Sequence, residues 1–254
     1  MPLGTELIYN TDFSPLERLY IKIFGVPING LRIRARRILP LITDKYKNIL
    51  DAGCGPGVFT FEIAKRFPKS TVTGVDIEDS LLATNTQIAE NLHLYNCRFE
   101  HIDLTGMEES ERFDLILSVD NLEHIEDDDN ALRRFYQALT DGGELIIHVP
   151  GYERRWFIFG WAVNILIEGH YRPGYTKGQL TKKLNDAGFK IREIYYTYGW
   201  IETISNNISY SISKGEMKNK IFYAMIFPLL NFISFFGRNS RPEKGAGVLA
   251  IASK

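Results

Sequence analysis

The sequence predicts an α/β protein built on a parallel, doubly wound sheet. Two observations lead there. From about residue 47 onward, short apolar runs alternate with amphipathic segments, which is the pattern of strand–helix–strand units. One of those runs, Ile49-Leu50-Asp51-Ala52, passes straight into the glycine-rich turn Gly53-Cys54-Gly55-Pro56-Gly57 and then into an amphipathic segment. In a sheet of this kind ligands sit beyond the carboxyl ends of the strands.

The elements follow in order. Lys47–Ala52 reads as a buried strand, and Val58–Phe67 as a helix stopped by Pro68. Thr71–Asp76 is the next strand and Ser80–Leu92 the next helix. Cys97–Ile102 and Phe113–Val119 are strands, and Asp128–Leu139 is a helix with Ala131, Leu132, Phe135 and Leu139 on its apolar face. Gly143–Val149 is a strand. Tyr175–Gly188 is a helix, with Thr176 as N-cap and Gly188 as its stop. Phe189–Tyr198 and Gly247–Ser253 are the last strands. Three segments stand outside this alternation: residues 1–45, an insertion near 151–175 and one near 201–245. The expected organisation is an N-terminal helical cap over 1–45 and one larger unit over 46–254 carrying two apolar, helical insertions. Additions of this kind commonly carry the substrate site.

Composition narrows the function. Apolar residues are 44% and charged residues 24% of the chain, which excludes global disorder. Thirty basic against 31 acidic residues argue against a nucleic-acid partner. Two cysteines, Cys54 and Cys97, exclude a disulfide scaffold and a Cys-rich zinc site, and suit a reducing cytoplasm. The segment MPLGTELIYNTDFSPLERLY lacks the basic and apolar regions of a signal peptide, and none is expected. No run reaches the roughly 20 apolar residues of a membrane span. Ile221–Phe236 comes closest, interrupted by Pro228, Asn231 and Ser234.

The glycine loop carries the chemistry. Glycines permit positive φ and close approach of a ligand, and the following helix offers free N–H groups to an anionic group. A dinucleotide fingerprint requires glycine or alanine where Val58 stands, and Asp51 would repel a pyrophosphate. Asp51 suits instead a ligand bearing an ammonium and a carboxylate. Asp76, ending Thr73-Gly74-Val75-Asp76, is placed to accept two ribose hydroxyls. Asp103, in His101-Ile102-Asp103-Leu104, is placed to accept from an adenine amine. Each alone reads equally as an ordinary strand-end residue. Three carboxylates at the ends of three consecutive strands, beside the loop, point to one adenosine-type ligand.

With those residues in place, the run from about 46 to 150 resembles the class I S-adenosylmethionine-dependent methyltransferases, in the small-molecule branch that includes quinone-biosynthesis enzymes. Asp51-Ala52-Gly53-Cys54-Gly55-Pro56-Gly57 is similar to the family's first motif, and Gly74-Val75-Asp76-Ile77 to its acidic ribose motif. Ser118-Val119-Asp120-Asn121-Leu122-Glu123-His124-Ile125 is similar to its fourth-strand motif, and Asp141-Gly142-Gly143-Glu144-Leu145-Ile146-Ile147 to the turn and strand that follow. The resemblance implies a Rossmann-like, seven-stranded, mostly parallel sheet with helices on both faces and an antiparallel last strand. It implies S-adenosyl-L-methionine as cofactor and direct displacement at its sulfonium. Gly53, Gly55 and Gly57 would shape the methionine end, Asp51 hold the ammonium, Asp76 the ribose and Asp103 the adenine. Ile77 and Leu104 would flank the ring, with Val119 and Asn121 lining the cleft.

The acceptor is less legible. His170, in Glu168-Gly169-His170-Tyr171-Arg172-Pro173-Gly174-Tyr175, is the first candidate base, since a similar His-x-Arg occurs in related methyltransferases and histidine titrates near neutrality. His124, after the fourth strand, is the second; packing against the cofactor is its competing reading. Tyr171, Arg172, Tyr175 and Trp156 are expected to line the acceptor pocket. His101 and His148 fall within strands and read as structural. Arg32, Arg34, Arg36 and Arg37 read as a solvated helix face, with a clamp on an anionic acceptor or on lipid as the functional alternatives. No metal site is expected; Glu126-Asp127-Asp128-Asp129 reads as a solvated helix start. The stretches Trp156–Ile167 and Ile221–Phe236 are apolar and bordered by cations: Arg154 and Arg155 for the first, Lys214, Lys218, Lys220, Arg238 and Arg241 for the second. They read as a lid over a lipophilic acceptor, a membrane-surface contact, or a dimer interface. The expected activity is methyl transfer to a small, lipophilic or lipid-linked acceptor, with O-methylation favoured, in the cytoplasm at the inner face of the membrane. A soluble sugar or nucleotide-linked acceptor, and a non-catalytic cofactor-binding role, are the alternatives.

Overall fold

The computed structural model describes residues 2–108, 110, 112–156, 160–163, 169–213 and 220–254, with backbone only at 154–156 and 160–163. Strands β1 (Asn48–Ala52), β2 (Thr71–Asp76), β3 (Cys97–His101), β4 (Phe113–Val119), β5 (Leu139–Pro150), β8 (Lys190–Thr197) and β9 (Gly247–Ser253) form one sheet in the order β3-β2-β1-β4-β5-β9-β8. All neighbours are parallel except β9, which runs antiparallel between β5 and β8. The seven strands and the antiparallel last strand are those the resemblance implied. The chain builds outward from β1 to β3, then returns to place β4 on the other side of β1. The strand order therefore reverses between β1 and β4, and a crevice opens above their carboxyl ends.

Period-two alternation divides the core. Ile49, Leu115, Leu117, Ile146, Leu249 and Ile251 face one side, and Leu50, Ile116, Leu145, Ile147, Val248 and Ala250 the other. The first side is covered by α3 (Val58–Arg66), α4 (Asp79–Asn91) and α2 (Asn29–Ile38). The second is covered by α5 (Asp128–Ala138) and α6 (Lys177–Asp186). Both faces of the sheet are thus dry, as a parallel sheet requires. Thr176 caps α6, accepting from the Gln179 N–H at 3.1 Å while the Gln179 side chain accepts from the Thr176 N–H at 2.9 Å.

The segment before β1 holds α1 (Pro15–Phe24) and α2, as expected of a helical segment. Leu3, Leu7, Ile21, Leu31 and Ile38 join the same core as Ile49 and Phe61, so this segment completes the first layer. The second insertion is also helical, α7 (Trp200–Ser213) and α8 (Lys220–Phe235). The first insertion corrects the expectation of a helix. Its described part is a two-stranded antiparallel ribbon, β6 (Glu153–Trp156) against β7 (Gly160–Val163). Aromatic and β-branched residues crowd this stretch around Gly160, and they favour extended backbone. The lid, membrane and dimer readings of the Trp156–Ile167 side chains, and Lys214 and Lys218, lie outside the described residues.

The arginines of α2 correct a second expectation. They are absorbed rather than solvated. Arg32 donates to Phe24 O at 2.6 Å, and Arg36 donates to Ser234 Oγ at 2.8 Å and to Asn231. Arg37 forms a buried ion pair with Glu202 of α7 and donates to Ser240 O at 2.8 Å. Burial pushes the Glu202 carboxyl above its ordinary value in spite of Arg37. Arg36 and Arg37 therefore fasten the cap to the second insertion, while Arg32 ties α2 back to the end of α1 within the cap.

Candidate functional site

Beyond Ala52 the chain turns through Gly53, Gly55 and Gly57 at φ 73°, 49° and 73°, in the left-handed region. A Cβ on Gly53 would overlap the Asn121 side chain, whereas above Gly55 there is open space. The loop is thus bare toward the crevice at Gly55. The N–H groups of Gly53 and Cys54 both donate to Val75 O at 2.9 Å, which ties the loop to β2. Asp76 closes the arrangement. Its Oδ2 accepts from Gly55 N–H at 2.9 Å, and its Oδ1 from Ile77 and Glu78 N–H at 2.8 and 3.2 Å. Among the described residues Oδ2 accepts that one bond, so a lone pair stays available at the crevice edge.

The other residues expected at this end are arranged as follows. Asp51 is buried beneath the loop and accepts from Thr60 Oγ1 at 2.6 Å. Burial pushes its carboxyl up to about 6, outweighing that bond. The Asn121 side chain lies against Gly53, with its Nδ2 buried and without a partner. Val119 ends β4 next to it. Asp103 accepts from the Thr105 N–H and hydroxyl at 2.8 and 2.7 Å, which hold its carboxyl below the usual range. It lines an open pocket with His101, Ile102, Gly106, Met107 and Glu108. Ile77 is exposed beside the crevice, but Leu104 is turned into the core with Val75 and Phe113 rather than toward a ligand.

A second cluster stands past the end of β4. The His124 and His170 rings meet edge to face at 4.2 Å. His124 Nδ1 donates to Gly169 O at 3.0 Å, which leaves Nε2 as the lone-pair nitrogen of the neutral ring. His170 Nδ1 is buried without a partner, and burial, with the neighbouring His124, pushes its pKa down. Glu123 lies below them with its Oε2 buried and unpartnered. Burial first, and Asp120 second, push this carboxyl well above its usual range.

Sequence reasoning missed the polar chain beside this pair. Arg34 reaches from α2 to Asp120 at 2.8 Å. His148 Nδ1 meets Asp120 Oδ1 at 2.6 Å, and its Nε2 meets Thr197 Oγ1 at 3.0 Å. Burial pushes the Asp120 carboxyl up, but Arg34 and His148 outweigh it and hold it below the ordinary value. Asp120 and Tyr198 both take positive φ, at 49° and 62°. Residues other than glycine are held in that region where surrounding contacts over-determine them, commonly at functional sites. The signal for Asp120 was its place in the quoted fourth-strand motif; Arg34 stood out only as one of four clustered arginines, and nothing local marked His148 as a partner of Asp120.

Arg172 and Tyr175 are used differently from the expectation. Arg172 donates to the carbonyls of Leu122, Ile125 and Glu126 at 2.9, 2.7 and 2.8 Å. The buried Tyr175 hydroxyl donates to Asp128 Oδ2 at 2.8 Å. Both brace the loop that carries His124. Tyr171 is exposed at the rim, its N–H donating to Glu123 O at 2.9 Å. The Trp156 side chain lies outside the described residues.

A loop bare at one glycine, an acidic acceptor at the end of β2 and an unpartnered amide at the reversal point fit an adenosine-type ligand bearing an amino-acid end. Comparison with known proteins agrees. Residues 43–198 match the family model described as a methyltransferase domain. The chain belongs to this family and is an S-adenosylmethionine-dependent methyltransferase. It is 38% identical over 117 residues to a trans-aconitate 2-methyltransferase from Deinococcus radiodurans, covering 46% of this chain and 43% of that protein. The chain thus spans less than half the length of that relative. It is 28% identical to a ubiquinone biosynthesis O-methyltransferase from Coxiella burnetii, covering 64% of this chain and 71% of that one. Among solved structures, an O-methyltransferase from Brevibacillus brevis superposes with a TM-score of 0.61 at 16% identity, over 98% of this chain and 79% of that one. A [4+2]-cyclase superposes as well, at 0.61 and 17% identity over 91% of this chain and 82% of that one, so this likeness shows the fold alone.

Proposed function

We propose that this protein methylates an oxygen of a small lipophilic or lipid-linked acceptor, at a membrane surface. The observation that carries the reading is the His124–His170 pair, which follows closely in the chain on Asn121, the residue that lies against Gly53 of the glycine loop. When bound, S-adenosylmethionine supplies a methyl group on a positively charged sulfur. Asp76 holds the ribose hydroxyls on Oδ2, and Asn121 Nδ2 donates to the amino-acid end. Asp103 receives the adenine amine, and Asp51 stabilises the ammonium from beneath the loop. His124 and His170 meet the acceptor hydroxyl, and a ring lone pair takes its proton. Arg172 and Tyr175 keep His124 in position through the carbonyls they bind.

Oxygen as the methylated atom is supported by relatives named as O-methyltransferases, for ubiquinone biosynthesis and for a malonyl-acyl-carrier protein. Lipophilicity is supported by the outer surface. Along α8 and just past it, Ile221, Met225, Leu229, Phe232 and Phe236 recur at helical spacing and are all exposed, as are Leu16, Leu19 and Ile23 on α1. The two helices touch where Tyr20 donates to Ala224 O at 2.7 Å. Arg18, Lys22, Lys220 and Arg238 stand on the same two helices or at their ends, suiting anionic headgroups. Among the described residues no helix is long and apolar enough to cross a membrane, and the contact proposed is a peripheral one.

The test has two steps. Calorimetric titration with S-adenosylhomocysteine should give micromolar binding in wild type, lost in Asp76→Ala. Radiolabelled methyl transfer is then measured on a polyprenylated phenol, an amine and a free sugar. Transfer to the phenol, abolished in His170→Ala with cofactor binding kept, supports the reading; transfer only to the amine or the sugar overturns it.

A further inference from the structure

We propose that Glu123, His124 and His170 form a binding site for one divalent transition-metal ion, of the zinc or manganese class, at the acceptor end of the crevice. Each of the three offers one ligand atom, and those atoms lie within 4.8 Å of one another. The ligands of a metal bonded at about 2.1 Å stand roughly 3 Å or a little more apart, so modest side-chain rotation closes the site.

Three independent features point to a cation rather than to an accidental cluster. The first is charge. Asp120 is matched by Arg34 at 2.8 Å, and Asp128 by Arg172 and Lys183 at 3.2 and 2.9 Å. Glu123, buried to 1% exposure, has no ion-pair partner among the described residues. A buried unmatched carboxylate is costly, and a cation relieves that cost. The second is hydrogen bonding. Glu123 Oε2 and His170 Nδ1 are both buried without a partner, and two orphaned polar atoms would otherwise each forfeit a bond to water. The third is orientation. His124 donates its Nδ1 proton to Gly169 O, which fixes the tautomer with Nε2 as lone-pair donor. A metal-ligating histidine is held in this way, its other nitrogen bonded to a backbone carbonyl.

Two imidazoles and one carboxylate favour borderline metals over calcium or magnesium, and three protein ligands leave positions open. This inference rests on the reading of the crevice as an acceptor site and gives that reading a chemical class: an acceptor whose hydroxyl oxygen can also ligate a metal. This replaces the proton step proposed above: with the cation in place the rings would act as ligands, and the metal rather than a ring lone pair would ease the loss of the acceptor's proton. The acceptor's O–H bond would break with its proton passing to water, and the oxygen would attack the methyl carbon as the C–S bond breaks, its electron pair returning to sulfur.

The test is Co2+ titration of the full chain after chelator treatment, followed by visible absorption. Wild type should take up one Co2+ per chain. Glu123→Gln and His170→Ala should each weaken binding at least tenfold, while His101→Ala, which removes the exposed histidine paired with Asp79, should not. Absence of stoichiometric Co2+ binding in wild type, or equal binding in all variants, overturns the site. S-adenosylhomocysteine titration on the same samples separates this from the methyl-transfer reading. Kept cofactor binding with lost Co2+ supports the site; lost cofactor binding in wild type sinks the reading of the crevice while the Co2+ result stands alone. Should Glu123→Gln lose both ligands by misfolding, His170→Gln on the partly exposed loop decides the matter.

Discussion

At Asp51 burial and ligand binding pull in opposite directions. Its carboxyl titrates at about 6 in the folded chain against an ordinary 3.8, because β1 and α3 shut it away from water. The folded state therefore holds the proton more tightly than the unfolded chain. The stability this contributes is full below pH 3.8 and is lost as pH rises through about 6. Above that, the buried charge costs up to ~3 kcal/mol, at 1.36 kcal/mol per pKa unit. Asp51→Asn, which still accepts from Thr60, should raise the stability of the cofactor-free protein at pH 8 and leave it nearly unchanged at pH 4. Urea unfolding at both values checks this; equal gains would refute it. The same substitution should weaken S-adenosylhomocysteine binding, since a neutral amide offers the ammonium less. Gly53→Ala belongs beside it. The positive φ and the Asn121 side chain both oppose a Cβ, so a loss of ~1–3 kcal/mol and of cofactor affinity is expected, read by thermal unfolding and calorimetry.

Among the elements, strands and caps were the easier part to read. β2, β4 and β9 fall on their expected residues, because two-sided burial makes each a short apolar run, and Thr176 with Gln179 announces the start of α6. The ribbon β6–β7 was misread, since a run of apolar aromatics has no period that distinguishes helix from strand. The α2 arginines were misread for a different reason. Their partners, Ser234, Glu202 and Asp120, are distant in sequence, and spacing carries no information about them. The Arg37–Glu202 pair offers a direct test. Arg37→Met leaves Glu202 buried without its cation and should cost ~3–5 kcal/mol; adding Glu202→Leu should return most of that. Equal destabilisation of the single and double variants in urea unfolding would show that the pair is not the fastening.

For the whole molecule, the α/β class and the cofactor were legible because a glycine loop and three acidic residues fall at or near the ends of three neighbouring strands. The proposed acceptor end was not, since its residues come from α2, the loop after β4, the loop before α6 and the end of β8. The exposed apolar faces of α1 and α8 are a property at this scale too. Sedimentation with anionic vesicles should retain wild type at low salt and release it as salt rises, while Met225→Glu with Phe232→Glu should stay in solution with unchanged S-adenosylhomocysteine affinity. A concentration-dependent dimer that ignores vesicles would assign those faces to self-association instead.

The fastening of α2 also decides how traffic reaches the crevice. Arg34 bolts this helix to Asp120 on the rim, and Arg37 bolts it to Glu202 behind. Swinging α2 aside would strip two arginines of their counter-charges at once, and Arg37 is buried on both sides of its pair. It is a wall, not a door. On the proposed reading, the opposite bank, where His124 and Tyr171 stand open to solvent, is the side from which an acceptor would arrive and a methylated product depart.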